Sequence, residues 1–515
     1  MRDTARNQGL GSWTARRARR SPDRIALVHQ GPDGRPVRQS YARLHARTRA
    51  IAAALRERHG VRPGDRVAYL GPNHPAFLET LFATGRLGAV FVPLNTRLTA
   101  PEIAYQLADC GARVLVHAPT HDGLVHELPT APGSPTLLPL ARLAATDALP
   151  STMDTELDDV PGTLDDPCMI MYTSGTTGRP KGAVLTHGNI TWNSFNVLID
   201  QDLAADEVAL VSAPLFHTAA LNMLALPVLL KGGTCVLAER FDVDATFDAI
   251  ARHRVTVMFG VPAMFRQLAD APRWADADLS SLRLLNCGGA PVPPALITAY
   301  QRRGLNFCQG YGMTEAAPGT LFLAAEHAVD KAGSAGVPHF FTDVRVVRPD
   351  LTETAPGDVG EIVVRGPNVM PGYWGLPRES ADAFTDGWLR TGDAARTDED
   401  GHVTIVDRIK DMIISGGENV YPAEVENAIA GHPDVAECAV YGVPDLRWGE
   451  VPHATVVLRP GASAGGDDIL RFLDGRLARY KLPKAVHVLP VLPRNAAGKV
   501  LKAELRAGDN SVADR

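Results

Sequence analysis

Short apolar runs rich in β-branched residues alternate along the chain with stretches of helical length. The run 66-RVAYL-70 precedes 75-PAFLETLFATGRLGA-89, and the amphipathic 244-DATFDAIARHR-254 precedes 255-VTVMFG-260. Repeated alternation between strand-like and amphipathic helix-like patterns predicts βαβ units and largely parallel sheets. Two places break the rhythm. From 128 to 167 the chain is rich in Pro, Thr and Asp, which predicts a surface connection or irregular structure. Near residue 408 the segments become shorter and more β-rich, leaving about 100 residues, enough for a small α+β domain. No internal repeat is visible. The expected fold is α/β, with a large N-terminal region of sheet-and-helix subdomains over 1–407 and a small α+β C-terminal domain over 408–515.

Composition narrows the function classes. The chain has 515 residues, 45% apolar and 21% charged, the balance of a water-soluble globular protein with several cores. No apolar run approaches the roughly 20 residues needed to span a bilayer, so no integral membrane segment is expected. The Arg-rich start 1-MRDTARNQGLGSWTARRARRSPDR-24 lacks the apolar core of a secretory signal, and a cytoplasmic location is expected. A formal net charge of −6 gives no electrostatic case for a nucleic-acid partner. The six cysteines include no C-x-x-C pair, so they indicate neither a zinc site nor a redox motif, and free buried thiols are expected.

The stretch 172-YTSGTTGRPKGA-183 carries the first chemistry. Glycine lets a backbone approach an anion closely with its N–H groups turned inward. Thr173, Ser174, Thr176 and Thr177 add hydroxyl donors around Gly175, and Lys181 adds a positive charge. These are the parts of a triphosphate cradle. The loop is not the Walker pattern, because Arg and Pro separate Gly178 from Lys181 and no hydroxyl follows the lysine.

Seven further stretches follow in order: 213-APLFHTAAL-221, 286-NCGGAP-291, 309-QGYGMTE-315, 360-GEIVVRGPNVMPGYW-374, 387-GWLRTGD-393, 407-DRIKDMIISGGENVYPAEVE-426 and 493-PRNAAGK-499. With the glycine loop they resemble the signatures of the adenylate-forming superfamily, in its acyl-CoA synthetase branch, over essentially the whole chain. The resemblance implies a mobile C-terminal domain and three small-molecule partners: a carboxylic acid, ATP and coenzyme A, with Mg²⁺. A homodimer is the expected assembly.

Residue roles follow from the resemblance and from what the chemistry demands. Attack of a carboxylate on the α-phosphate of ATP requires cations and donors that screen like charges. Glu315, an acid beside a phosphate loop, is the expected Mg²⁺ ligand. Thr314 contacts phosphate, Tyr311 stacks on adenine, and Gly289, Ala290 and Pro291, with Gln309 and Gly310, line the base. Asp393 accepts from the ribose hydroxyls, since two acceptor oxygens suit a vicinal diol, and Arg408 supports ribose or phosphate. Lys499 serves the first half-reaction by binding the carboxylate and α-phosphate oxygens. Lys410 marks the hinge about which the C-terminal domain turns, and Ser415, Gly416 and Gly417 line the coenzyme A tunnel.

The acid is less constrained. His217 matches the family's aromatic position beside the substrate carboxyl group, where amino-acid-activating relatives place an aspartate, so an α-amino acid is disfavoured. With His217, an acyl pocket is expected from Gly312, Met313, Ala316 and Ala317, where Gly312 leaves a channel that a tryptophan closes in short-chain enzymes. A medium- or long-chain aliphatic acid or a ring system is expected. The segments 331-KAGSAG-336 and 340-FFTDV-344 resemble bacterial fatty-acyl-CoA synthetases, with aryl-CoA and o-succinylbenzoyl-CoA ligases as near relatives. The leading expectation is an ATP-dependent acid:CoA ligase working through an acyl-adenylate. The alternatives are an adenylating enzyme serving a carrier-protein thiol, an amine or another nucleophile, and a non-catalytic nucleotide- or acyl-binding regulator.

Overall fold

The computed structural model describes residues 7–31, 33–144, 160–173, 179–290, 292–415, 418–445, 448–477, 479–495 and 498–513. The chain divides into two compact units, one of residues 1–344 and 364–389, the other of 345–363 and 390–515. The boundary expected at 407/408 falls inside the second unit. Strand Val403–Arg408 pairs with strand Trp388–Thr397, and that hydrogen-bonded hairpin keeps the residues before 408 with those after it.

The first unit holds two mostly parallel sheets. One runs in the order Gly372–Tyr373, Lys181–Thr186, Pro167–Thr173, Val90–Pro93, Arg66–Leu70, Ala112–His117, Thr136–Pro139. The other runs Val337–Pro338, Gly319–Leu323, Phe307–Gly312, Leu284–Gly288, Val257–Gly260, Val208–Val211, Thr234–Leu237, Ile25–Gln30, Pro36–Ser40. Val90–Pro93, Val257–Gly260 and Leu284–Gly288 are buried at every position, which explains why the first two runs are continuously apolar and do not alternate; the third buries one polar residue, Asn286.

Two expectations change here. The stretch 75–86 reads as amphipathic, yet all residues of helix Pro75–Arg86 are buried. Phe77 packs edge-on against Tyr69 and Phe91 at 5.1 and 5.0 Å between ring centroids. Glu79 is buried against Arg47, 3.2 Å away on helix Tyr41–Glu57, and accepts from Gln39 at 2.8 Å. A polar residue in a helical pattern therefore marks an internal ion pair here, not a solvent face. Part of the supposed connection between 128 and 167 is regular. Strand Thr136–Pro139 extends the first sheet beside Ala112–His117, and Leu138 and Leu143 are core residues.

The C-terminal part of the second unit is a sheet ordered Glu418–Val420, Ile413–Ser415, Gly449–Leu458, Val435–Asp445, with Val486–Val488 parallel to Gly449–Leu458. Ile413, Val425, Ile429, Val440, Val456, Ile469 and Leu473 pack on one face, bringing helices Pro422–Ala430 and Gly466–Leu473 onto it. On the other face Tyr441, Val443 and Leu492 meet Leu505 of helix Lys502–Ala513. All six cysteines are free; five are buried and Cys438 is half-buried. No helix among the described residues is long and apolar enough to cross a membrane.

Candidate active site

The glycine loop joins two antiparallel strands, Pro167–Thr173 and Lys181–Thr186, whose register sets Thr173 opposite Lys181. Residues 174–178, hence Ser174, Gly175, Thr176 and Thr177, lie outside the described residues, as do Pro291, Gly416, Gly417 and the side chain of Lys410. The described ends of the hairpin nevertheless meet the next motif. Thr173 Oγ1 donates to Glu315 Oε1 at 3.4 Å, and Tyr373 Oη donates to the same oxygen at 3.0 Å. Lys181 Nζ lies over the Tyr373 ring, 5.3 Å from its centroid. Burial, and then the charge of Glu315, push the Tyr373 phenol well above its ordinary pKa, so it remains a donor.

Glu315 is 7% exposed, and its partners among the described residues are hydroxyls, not cations. Among the described residues two hydroxyls hold this nearly buried carboxylate, and a cation would balance its charge. Its Oε2 makes no hydrogen bond among those residues, leaving lone pairs for a hard cation. The donor set therefore fits Mg²⁺.

Three buried asparagines hold this arrangement in place. Thr186 and Asn189 form the capping box of helix His187–Asp200, and Asn189 Nδ2 donates to the carbonyls of Pro367 and Val369 at 2.9 and 2.8 Å. Asn193 Oδ1 accepts from Gly319 N at 2.9 Å. Asn368 Nδ2 donates to the carbonyls of Ala316 and Gly319, both at 2.8 Å. The Met370 amide closes the set on the Glu315 carbonyl at 2.8 Å. The segment 367–373 is thereby held against 315–319, and Tyr373 reaches Glu315. Tyr373 and these asparagines carry no signal in spacing or periodicity. Tyr373 lies in a recognisable motif, but only the pairing of Gly372–Tyr373 with Ala183 and Val184 aims it at the acid.

Gly288 ends its strand and pairs with Gly310 near the carboxyl end of the parallel neighbour, and Gly289 and Ala290 are exposed just beyond. Gly289 has φ +83°, a left-handed turn that suits glycine. The carboxyl ends of parallel strands are where open α/β sheets take nucleotides. Tyr311 and Thr314 are half-buried there; Gln309 is buried, and its Nε2 has no hydrogen-bond partner among the described residues.

The expected acyl channel is corrected at three positions. A Cβ on Gly312 would lie 1.8 Å from the Pro318 carbonyl oxygen, so glycine there permits a close backbone approach and does not open a channel in that direction. Ala316 and Ala317 are 0% exposed and offer no surface to a ligand. Met313 is half-buried and packs on the main core. His217 precedes the short helix Thr218–Ala220, with its ring 4.6 Å from that of Phe216. The ring is exposed, yet dense surrounding protein lowers its pKa to about 4, and Arg97 pushes the same way. An imidazole with so low a pKa is neutral near pH 7.

In the second unit Asp393 and Arg408 face each other across the hairpin, with Arg408 Nε 2.7 Å from Asp393 Oδ1. The Asp393 amide donates to Thr391 Oγ1 at 3.1 Å, and Thr391 donates to the Ile362 carbonyl at 2.8 Å. Next to them Asp407 accepts from the Arg408 and Ala423 amides, both at 2.7 Å, and burial raises its pKa. Lys410 falls in the single turn Ile409–Asp411 between extended residues. Ser415 is buried at the end of its strand. Lys499 is an exposed residue closing a tight turn; its amide donates to Asn495 Oδ1 at 2.9 Å, and its carbonyl accepts from the Asn495 amide at 2.9 Å.

Comparisons with known proteins show the family to which the chain belongs. Residues 14–374 match the family model of the AMP-binding enzymes, and residues 424–499 match that of the AMP-binding enzyme C-terminal domain. A feruloyl-CoA synthase of Amycolatopsis sp. is 57% identical over 501 residues, 97% of this chain and 99% of that one. An indoleacetate–CoA ligase of Aromatoleum aromaticum is 43% identical over 504 residues, 96% of this chain and 97% of the other. Among solved structures, o-succinylbenzoate CoA synthetase from Bacillus subtilis, bound to its acyl-adenylate intermediate, matches with a TM-score of 0.86 and 34% identity over 96% of this chain and 98% of that one.

Proposed function

Since the chain belongs to the AMP-binding enzyme family, in its acyl-CoA synthetase branch, we propose that it joins an aromatic carboxylic acid to coenzyme A through an acyl-adenylate. The enzyme is an acid–thiol ligase that uses ATP and coenzyme A. The observation that carries the aromatic reading is 57% identity, over nearly the full length of both chains, to an enzyme named for an aryl acid. An indole acid in the name of the next relative supports it. Of the expected substrate classes, the ring system is thus preferred to the aliphatic chain. The Phe216 and His217 rings offer aromatic faces to such an acid.

In the first step a carboxylate oxygen attacks the α-phosphorus, forming an O–P bond while the bond to pyrophosphate breaks. In the second, the thiol sulfur attacks the acyl carbon, AMP departs with its bonding pair, and the thiol proton passes to solvent. Lys181, Thr173 and the loop 174–178 hold the phosphates. Glu315, oriented by Tyr373 and Thr173, would hold Mg²⁺, which when bound supplies charge neutralisation between phosphate oxygens. Thr314 donates to phosphate, Tyr311 stacks on the base, Asp393 accepts from the ribose and Arg408 fixes Asp393. Lys499 neutralises the carboxylate and α-phosphate oxygens in the first step only, and Lys410 is the hinge between the steps.

Pyrophosphate release measured with ferulate, indoleacetate, octanoate and palmitate, with and without coenzyme A, tests the proposal. Higher kcat/KM for the aromatic acids, with turnover dependent on coenzyme A, is expected. A higher value for either aliphatic acid overturns the aromatic reading. Turnover that ignores coenzyme A but responds to a carrier-protein thiol overturns the acceptor.

A further inference from the structure

Three side chains that the proposed reaction does not use converge in the second unit. His453 comes from strand Gly449–Leu458, His487 from Val486–Val488 and Asp509 from helix Lys502–Ala513. His453 Nδ1 is 2.8 Å from Asp509 Oδ2, and His487 Nε2 is 2.8 Å from Asp509 Oδ1. One ligand atom from each residue lies within 4.8 Å of the others. Strand register brings the imidazoles together, since Tyr441 pairs with His453 and Thr455 with His487, leaving the two rings 6.0 Å apart. Tyr441 Oη donates to Asp509 Oδ2 at 2.8 Å and also bonds Thr455 Oγ1 at 3.1 Å.

The His487 contact is close but not aligned. Its Nε2 is a buried atom that completes no hydrogen bond among the described residues, although a carboxylate oxygen is 2.8 Å away. A nitrogen and a carboxylate brought together without a well-directed proton between them suit a shared cation. We infer that His453, His487 and Asp509 form a binding site for a zinc-type divalent ion, with solvent or Tyr441 completing the coordination. Two imidazole nitrogens and one carboxylate oxygen are a borderline donor set, preferred by zinc and its first-row neighbours over the all-oxygen ions Mg²⁺ and Ca²⁺. Tetrahedral bonds of about 2.0–2.1 Å would require the N···O pairs to open by about 0.5 Å, within reach of side-chain rotation. Such an ion would clamp helix Lys502–Ala513, which begins three residues after Lys499, to two strands of the sheet. The sequence carries no sign of the site, because 33 residues separate His453 from His487 and 21 separate His487 from Asp509.

The test is calorimetric titration of the chelator-stripped, nucleotide-free full chain with zinc in excess Mg²⁺, repeated on Asp509→Asn and His487→Gln. One zinc per chain is expected, each substitution weakening it by about tenfold or more. The thermal midpoint should rise with zinc in the parent and not in His487→Gln. Co²⁺ should give the visible absorption of a low-coordinate site in the parent alone. His487, whose side chain is 39% exposed, keeps the test independent of folding if Asp509→Asn, which also strips a partner from Tyr441, does not fold. No zinc uptake by the parent, or uptake unchanged in His487→Gln, overturns the inference.

Discussion

Replacing Tyr373 by Phe removes one hydroxyl from the candidate site and keeps the ring beneath Lys181. The hydroxyl donates to Glu315 Oε1 at 3.0 Å, and the other donor to that oxygen, Thr173, is at a longer 3.4 Å. A hydrogen bond to a charged acceptor contributes about 1.5–3 kcal/mol, which corresponds to roughly 10- to 150-fold in an equilibrium constant. Partners that orient a metal-ligating group typically change metal affinity by about 10- to 100-fold, so the two arguments overlap. The apparent affinity for Mg²⁺ in pyrophosphate release should therefore fall by about 10- to 100-fold in Tyr373→Phe, with the KM for the acid changed by less than about threefold. Thr173→Val should cost less, because the bond it removes is longer. The assay is a Mg²⁺ titration at fixed ATP, with circular dichroism to show that the variant is folded. A folded Tyr373→Phe whose Mg²⁺ curve overlays that of the parent would refute the assignment of Glu315 as a metal ligand oriented by Tyr373.

Three further outcomes are expected. Lys499→Ala should slow adenylate formation by about 10²–10³ and spare thioester formation from supplied acyl-adenylate; equal loss in both half-reactions, measured by rapid quench, would remove its assigned role. Gly312→Ala should lower the thermal midpoint, because its Cβ would meet the Pro318 carbonyl oxygen at 1.8 Å and overpacking commonly costs about 1–3 kcal/mol; an unchanged midpoint contradicts the close approach. His45, His74 and His187 are each lowered to about 4, chiefly by burial. The unfolded chain therefore binds more protons than the folded one between about pH 4 and 6.5, so stability is present above the unfolded pKa and is lost as pH falls through that window. Asp407, raised by burial, works in the opposite sense but is one group against three. Urea midpoints should be lower at pH 5 than at pH 7.5, and equal midpoints would contradict this sign.

Local chemistry made much of the candidate site readable in the chain itself. A glycine- and hydroxyl-rich loop ending in Lys181, an acid at Glu315 and a turn at Gly289 use residue types selected by backbone freedom and charge, properties that each residue carries wherever it sits. Continuous apolar runs such as Val257–Gly260 likewise announced buried parallel strands, because a strand covered on both faces has no polar side to show. What needed the tertiary structure were relations between distant residues. Tyr373 reaches Glu315 because strand register and the amides of Asn189 and Asn368 bring their segments together. Glu79 is internal because Arg47 and Gln39 meet it in space. At Gly312 the space a Cβ would take is filled by the Pro318 carbonyl, and a missing side chain reads the same in sequence whether ligand or protein fills that place. His453, His487 and Asp509 converge through the pairing of strands and the docking of a helix, and a spacing rule sees none of it. Sequence fixes what each side chain is able to do. Packing decides which of them stand within reach of one another, because hydrogen bonds, ion pairs and coordination act over a few ångströms, while the residues that make them are tens to hundreds of positions apart along the chain.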